Sequence, residues 1–128
     1  MARPTLVLLV PGDRLSGLLA ESGLQSYGYE VVLARDPAEA LDIALTNRRI
    51  QVLVVDADRP DGIALAKAAR SADPGMHVVY TSRAPHKLMD RDKVGGAPCL
   101  RAPHHPHQLV GVIGGLLGRR SAADEVAA

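Results

Sequence analysis

The sequence has few residues of the kinds that several functional classes require. Among its 128 residues there is no Trp, no Phe and only three Tyr, which argues against single-strand nucleic-acid binding by aromatic stacking. A lone cysteine, Cys99, excludes an internal disulfide and a zinc site built from cysteines. The 15 basic residues are balanced by 14 acidic ones, so no surface for a polyanion is indicated. We therefore expect no binding to nucleic acid.

Long apolar runs are also missing. The apolar start, Leu6 to Val10, is too short to cross a membrane. It also lacks the longer apolar region and the small-residue cleavage site that are typical of a signal peptide. We expect no membrane partner and a cytoplasmic location.

Short apolar segments alternate instead with stretches of helical spacing. The pattern predicts strands at residues 5–10, 29–33, 52–55, 77–81 and 97–101, and helices at 14–27, 37–45, 62–72, 86–92 and 106–117. Strands that alternate with helices form a parallel sheet, and right-handed crossovers place helices on both of its faces. The predicted fold is therefore α/β, a three-layer flavodoxin-like five-stranded parallel sheet of order 2-1-3-4-5.

Two details of the helices can be tested against a structure. Asp13 is a favourable N-cap, and Leu15, Leu18 and Leu19 follow at helical spacing as the expected apolar stripe. In the last helix, three glycines each cost about 1 kcal/mol relative to alanine, unless they permit close packing. They are Gly111, Gly114 and Gly115.

One acid stands at the end of the third predicted strand. Residues 51–62 read QVLVVDADRPDG, so an apolar run ends on Asp56 and a turn follows. In open parallel α/β sheets, ligands and chemistry are found at the carboxyl ends of the strands. The predicted strand order makes the loops after Val10 and Asp56 face each other.

This segment resembles the phosphoacceptor strand of the receiver domain of two-component response regulators, and the similarity extends from Thr5 to Leu117. The resemblance implies that Asp56 is the phosphoacceptor. It also implies a hydroxyl at the end of the fourth strand that contacts the phosphoryl group, for which Ser82 is the better match and Thr81 the alternative. We expect a receiver-like domain at residues 1–118 and a flexible C-terminal tail at residues 119–128.

Several positions depart from the receiver pattern. Pro11 and Gly12 stand where the family has an acidic pair that holds Mg²⁺, and neither offers a side-chain oxygen to a hard cation. Ala102 stands at the position of the lysine, although the loop proline that follows it, Pro103, is present.

A magnesium cofactor is therefore doubtful, although two other acids near the site could hold a cation in altered geometry. These are Asp13 and Asp58, for which turn and cap roles are the alternative. Arginine could also supply the missing positive charge, and the candidates are Arg14, Arg59, Arg83 and Arg101.

These observations favour an atypical, stand-alone receiver that is not an enzyme and acts by binding a histidine kinase or another signalling protein. In this interpretation, phosphorylation is impaired or absent, because a bound metal supplies several kcal/mol of charge stabilisation to phosphoryl transfer. Two alternatives stay open. One is a working phosphorelay carrier that accepts a phosphoryl group on Asp56, and the other is a small-molecule binding module that uses the same edge of the sheet.

A histidine-rich loop precedes the last helix. His104, His105 and His107 surround Pro106, but adjacent histidines point in different directions and no acid or cysteine is close in sequence. A solvated loop is the favoured interpretation. A histidine beside Asp56 in place of the missing lysine is the alternative.

Overall fold

The computed structural model describes residues 4–127, with side chains up to Gly118. Five strands and four helices alternate along the chain. The strands are β1 (Leu6–Val10), β2 (Glu30–Leu33), β3 (Ile50–Asp56), β4 (His77–Ser82) and β5 (Cys99–Arg101). The helices are α1 (Arg14–Ser26), α2 (Pro37–Thr46), α3 (Gly62–Ala72) and α4 (Pro106–Ala127).

The predicted fold is confirmed. All strands are parallel, and their order across the sheet is β2-β1-β3-β4-β5. The central strands are buried on both faces, which is why their sequences are continuously apolar. Alternate residues of β1 point to opposite sides, so Leu8 packs under α2 and α3, whereas Leu9 packs under α1 and α4.

The predicted cap of α1 is present, and α2 begins with a cap of the same kind. The Asp13 carboxylate accepts a hydrogen bond from Ser16 N at 2.8 Å, and the Asp36 carboxylate accepts one from Glu39 N at 2.8 Å. Each bond satisfies a backbone N–H that has no partner within the helix. Because Asp13 ends the loop after β1, its cap also fixes the path of the residues before it.

The predicted apolar stripe of α1 is wrong. Leu15, Leu18 and Leu19 are exposed, and α1 faces the protein through Gly17, Ala20 and Leu24. The reason is that α1 packs closely against the loop after β1 through Gly17. A Cβ on Gly17 would lie 2.6 Å from Pro11 Cγ, so the helix presents its small residues inward and its leucines outward.

The chain between β4 and β5 also differs from the prediction. In place of a helix at residues 86–92, there are two single turns of 3-10 helix, Pro85–Lys87 and Asp90–Asp92. Besides Pro85 this segment has mostly charged side chains, and its two large apolar residues, Leu88 and Met89, are adjacent and do not form a stripe with which a longer helix could pack.

The last helix is longer than the sequence predicted, since it continues past Leu117 to Ala127. Its glycines at 111, 114 and 115 are exposed and have open space around them, so they do not serve close packing. The predicted flexible tail at residues 119–128 stays a prediction, because the side chains of 119–127 and all of Ala128 lie outside the described residues. Within the described part of the chain, no helix is long and apolar enough to span a membrane.

Candidate functional site

Asp56 is the last residue of β3 and lies at the carboxyl edge of the sheet. Its side chain is partly buried, and Oδ1 accepts a hydrogen bond from the backbone N–H of Asp58 at 2.8 Å. Burial raises the pKa of Asp56 above its ordinary value, and this effect outweighs the opposing hydrogen bond from Asp58 and the charges of Arg59 and Arg83. The ionised carboxylate is therefore held at an energetic disadvantage.

The loop after β1 passes directly against this carboxylate. A Cβ on Gly12 would overlap Asp56 Oδ2, so the present conformation of the Asp56 side chain requires a glycine at position 12. Any side chain at that position would have to displace the Asp56 carboxylate from where it lies. The glycine at position 12 therefore determines the shape of the site as well as its charge.

Asp13, the first of the acids considered for an altered cation site, is engaged elsewhere. Its two carboxylate oxygens accept hydrogen bonds from Ser16 N at 2.8 Å and from Ser16 Oγ at 2.9 Å. These bonds lower the pKa of Asp13. Its carboxylate is thus oriented toward the start of α1, where it acts as a cap.

Asp58, the second acid, connects the loops after β3 and β4. Its Oδ1 accepts a hydrogen bond from Ser82 Oγ at 2.7 Å, and its Oδ2 accepts one from Arg83 N at 2.8 Å. Ser82 Oγ in turn accepts a bond from Ala84 N at 3.0 Å. We call this set, Asp58 with Ser82, Arg83 N and Ala84 N, the Asp58 clamp.

The structure separates the two candidate hydroxyls. Thr81 is the register partner of Asp56 across β3 and β4, so its side chain lies on the same face of the sheet as Asp56. Ser82 is buried on the opposite face, where its hydroxyl is used in the Asp58 clamp. A phosphoryl-contacting role for either residue stays a prediction, and the register favours Thr81.

Arg59 joins two loops at this edge. One of its guanidinium nitrogens, Nη1, donates to Pro11 O at 2.9 Å and to Arg35 O at 3.1 Å. The sequence included Arg59 among four arginines that could replace the lysine, but nothing in the pattern indicated this pair of carbonyl acceptors. Its positive charge lies near enough to Asp56 to lower the pKa of that acid.

The loop after β5 contributes no fixed positive charge at the lysine position. Ala102 donates its backbone N–H to Ser82 O at 2.8 Å and, with Pro103 and His104, lines the space near Asp56. The other two histidines lie with their ring centroids 4.2 Å apart, and both are exposed. His104 is therefore the member of the histidine-rich loop that reaches this edge.

The residues at this edge do not fit a magnesium ion. Mg²⁺ requires about six oxygen ligands in near-octahedral geometry. Gly12 supplies no side-chain oxygen, and the carboxylates of Asp13 and Asp58 are directed to Ser16 and to Ser82 and Arg83. Among the described residues, no group of three or more His, Cys, Asp or Glu side chains could hold a metal.

We predict that the Asp58 clamp stabilises the fold. Asp58→Ala is expected to lower the free energy of unfolding by about 1–2 kcal/mol, because the buried Ser82 hydroxyl then loses its acceptor. In a double-mutant cycle with Ser82→Ala, the two changes should be coupled by about 1 kcal/mol. Urea unfolding of the two single variants and the double variant measures both quantities.

Asp61→Asn is the matched control for this cycle. Asp61 lies in the same loop, makes no side-chain cap bond and has a φ of 65°, a conformation that asparagine tolerates. It should change the unfolding free energy by less than about 0.5 kcal/mol. Strict additivity of the Asp58 and Ser82 changes would show that their hydrogen bond contributes nothing to stability.

Solved structures with this fold are numerous. A response regulator receiver protein from Sinorhizobium medicae has 28% identity and a TM-score of 0.80, with 91% of this chain and 97% of that chain covered. The receiver domain of the hybrid histidine kinase CckA has 29% identity and a TM-score of 0.71, with coverage of 84% and 94%. The chemotaxis protein CheY4 of Vibrio cholerae has 26% identity and a TM-score of 0.73, with coverage of 86% and 96%. No protein-family model matches the sequence, and no curated protein does.

Proposed function

We propose that this chain is a receiver domain like those of two-component response regulators, to whose solved structures it is similar. We further propose that it signals by binding a partner protein without Mg²⁺-dependent phosphorylation of Asp56. Receiver domains interact with histidine kinases and other signalling proteins, and a protein of that kind is the proposed partner. The proposal rests above all on Gly12, whose backbone lies against Asp56 at the position where the family has a metal-binding acid.

The electrostatics of the edge support this proposal. An aspartyl phosphate carries about two negative charges near neutral pH, and the transition state for its formation needs positive charge nearby. Ala102 supplies none. The guanidinium of Arg59 is held by the carbonyl oxygens of Pro11 and Arg35, so a turn toward Asp56 would cost it those two hydrogen bonds.

The segment between β4 and β5 supports signalling without a phosphate switch. In the family, phosphorylation repositions the fourth helix, the fifth strand and the fifth helix. In this chain, two short turns stand between β4 and β5, where the family has its fourth helix. The buried Tyr80 hydroxyl accepts a hydrogen bond from Val94 N, in the same segment, at 3.0 Å. Lys67 Nζ donates to Arg91 O at 2.7 Å, and Arg70 Nη1 donates to Gly95 O at 2.9 Å.

These bonds fix the segment from two other elements, β4 and α3, without any contribution from Asp56. Together with the Asp58 clamp, they connect the loops after β3 and β4 and the segment before β5 by hydrogen bonds that need no phosphoryl group. We therefore infer that docking is constitutive, or is controlled by a signal other than phosphate.

Incubation with acetyl phosphate and Mg²⁺ tests the proposal. Intact-mass spectrometry should show the wild-type chain without an added phosphoryl group at times when a conventional receiver is fully modified. The expected deficit in rate is about 100-fold or more, since the loss of several kcal/mol of charge stabilisation slows the reaction by orders of magnitude.

Asp56→Asn is the control that distinguishes a phosphoryl group on Asp56 from one on another residue. A phosphoryl adduct that forms rapidly on the wild-type chain, requires Mg²⁺ and disappears in Asp56→Asn would overturn the proposal in favour of a phosphorelay carrier. An adduct of equal extent in the wild-type chain and in Asp56→Asn would mark modification at another residue and would agree with the proposal, because no part of it would then depend on Asp56.

A further inference from the structure

A cleft opens beside Asp56 between α1 and α4. It has a volume of about 660 Å³, within the range of small-molecule sites. Its floor is apolar and consists of buried side chains from two strands and both helices, namely Leu9, Ala20, Val54 and Leu109. Asp56 and Thr81, which lie on the same face of the sheet, line the end of the cleft at the carboxyl edge of the strands.

The carboxylate of Asp56 has no ion-pair partner among the described side chains, and the charges of Arg59 and Arg83, which line the same cleft, act on it only from beyond ion-pair distance. One oxygen accepts the Asp58 N–H, and where side chains are described no second hydrogen bond and no ion pair reaches Asp56. A half-buried carboxylate that is only partly compensated is unfavourable. In the family, metal and lysine offset this charge, whereas here the residues at positions 12 and 102 are glycine and alanine. A ligand that brings one positive charge would therefore gain free energy at this point.

The shape of the site selects among cations. A magnesium ion needs several oxygen ligands that this edge does not offer. An organic ammonium needs fewer, because three N–H donors can be satisfied by one carboxylate, one hydroxyl and water. Thr81 lies on the same face of the sheet as Asp56 and lines the cleft. The apolar floor of the cleft can bind the hydrocarbon part of an organic cation, whereas a hydrated inorganic ion gains nothing from apolar contacts.

We propose that the cleft between α1 and α4 binds a small primary amine with an apolar body, with its ammonium group at Asp56 and Thr81 and its hydrocarbon on Leu9, Ala20, Val54 and Leu109. Such a ligand is a candidate for the signal that replaces phosphate. The binding step itself does not depend on the proposed function, since it requires only the cleft and the carboxylate.

Titration with hexylamine, followed by NMR chemical shifts of the intact chain, tests this site. The matched probes are 1-hexanol, which has the same chain without the charge, and hexanoate, which carries the opposite charge. We expect saturable shifts at Ala20, Thr81 and Leu109 with hexylamine, and binding at least about tenfold weaker with either matched probe.

Two variants locate the ammonium. Asp56→Asn should weaken hexylamine binding about tenfold or more. Ala102→Lys places an internal ammonium at the edge of the same cleft and should compete with the ligand to a similar extent. Asp42→Asn, which removes an exposed acid on α2 at the other face of the sheet, should leave the affinity unchanged.

Equal binding of hexylamine and hexanol would show adhesion to apolar surface, such as the exposed leucines of α1, and would overturn the proposal. So would hexylamine binding that Asp56→Asn leaves intact, or the absence of saturable shifts. These outcomes are separable from the phosphorylation experiment, which can fail or succeed without any effect on amine binding.

Discussion

Replacement of Gly62 by alanine is expected to destabilise the protein by about 2–3 kcal/mol, even though alanine favours helices. Gly62 is the first residue of α3 and is buried. A Cβ at this position would lie 2.5 Å from the backbone carbonyl oxygen of Asp56. Because the opposing atom belongs to the backbone, no side-chain rotation can relieve the contact, and either α3 or the end of β3 has to move.

Gly111→Ala provides the matched comparison by urea unfolding. Gly111 lies in α4, is exposed and has no atom near its potential Cβ, so the same substitution should stabilise the chain by about 1 kcal/mol. A Gly62→Ala variant as stable as the wild type would show that the close approach of α3 to Asp56 is not required. A stabilising Gly111→Ala with a destabilising Gly62→Ala would assign the difference to packing at the site.

The close approach of Gly62 to Asp56 O also means that the position of Asp56 depends on α3 as well as on the loop that follows β3. With Gly62 against its carbonyl and Gly12 against its carboxylate, Asp56 is enclosed by two residues without side chains. Substitution of either one is expected to move the carboxylate. The two glycines thus determine which conformation of Asp56 faces the cleft.

The sheet could be predicted because its sequence signals are local and agree with one another. Val52 to Val55 are continuously apolar since both faces of β3 are covered, and Asp36 with Pro37 begins α2 by a capping mechanism that needs no tertiary contact. The strand order then followed from the alternation of strands with helices. Each of these inferences used residues that are close together in the chain.

The errors arose where distant residues decide the outcome. The spacing of Leu15, Leu18 and Leu19 predicts a buried stripe, but the close packing of Gly17 against Pro11 turns the other side of α1 inward. No periodicity can reveal that preference, because glycine has no hydropathy signal of its own. At residues 86–92 the error has another cause. A weak pattern predicted a helix there, but the segment has no apolar face with which a helix could pack, and it forms two single turns instead.

The position of Asp56 at the end of β3 could be predicted, but the hydrogen bonds around it could not. Asp56 could be located from the end of an apolar run, and the absence of acids at Pro11 and Gly12 was visible directly. The Asp58 clamp could not be predicted, since the 2.7 Å hydrogen bond from Ser82 Oγ to Asp58 Oδ1 joins residues 24 positions apart. The assignment of Ser82 over Thr81 depended on a one-residue register, which in a strand decides the face to which a side chain points.

Restoration of the receiver pattern is expected to have the largest effect of any substitution in this protein. The triple variant Pro11→Asp, Gly12→Asp and Ala102→Lys should accept a phosphoryl group from acetyl phosphate at least about 100-fold faster than the wild-type chain, and only with Mg²⁺ present. The new carboxylates supply the missing oxygens, and the lysine supplies the second positive charge. Intact-mass spectrometry at timed intervals measures the rate.

The design must accommodate the contact at Gly12. Because a Cβ there overlaps Asp56 Oδ2, the Asp56 side chain has to rotate, and the variant is expected to be less stable than the wild type by about 1–3 kcal/mol. Circular dichroism and urea unfolding establish that it is folded under the assay conditions. The triple variant Pro11→Asn, Gly12→Asn and Ala102→Met introduces side chains of similar size without the charges, and it should stay inert.

A folded charged variant that remains inert would refute the attribution of the deficit to positions 11, 12 and 102. The cause would then lie in the two connections that the sequence did not reveal, the Arg59 bonds to Pro11 O and Arg35 O and the Asp58 clamp. Addition of Arg59→Ala or Asp58→Ala to the charged variant would distinguish them. If either addition makes the charged variant accept a phosphoryl group, the slow phosphorylation of the protein is caused by its loop geometry. If the charged triple variant is already active, the missing charges are sufficient to account for the slow rate.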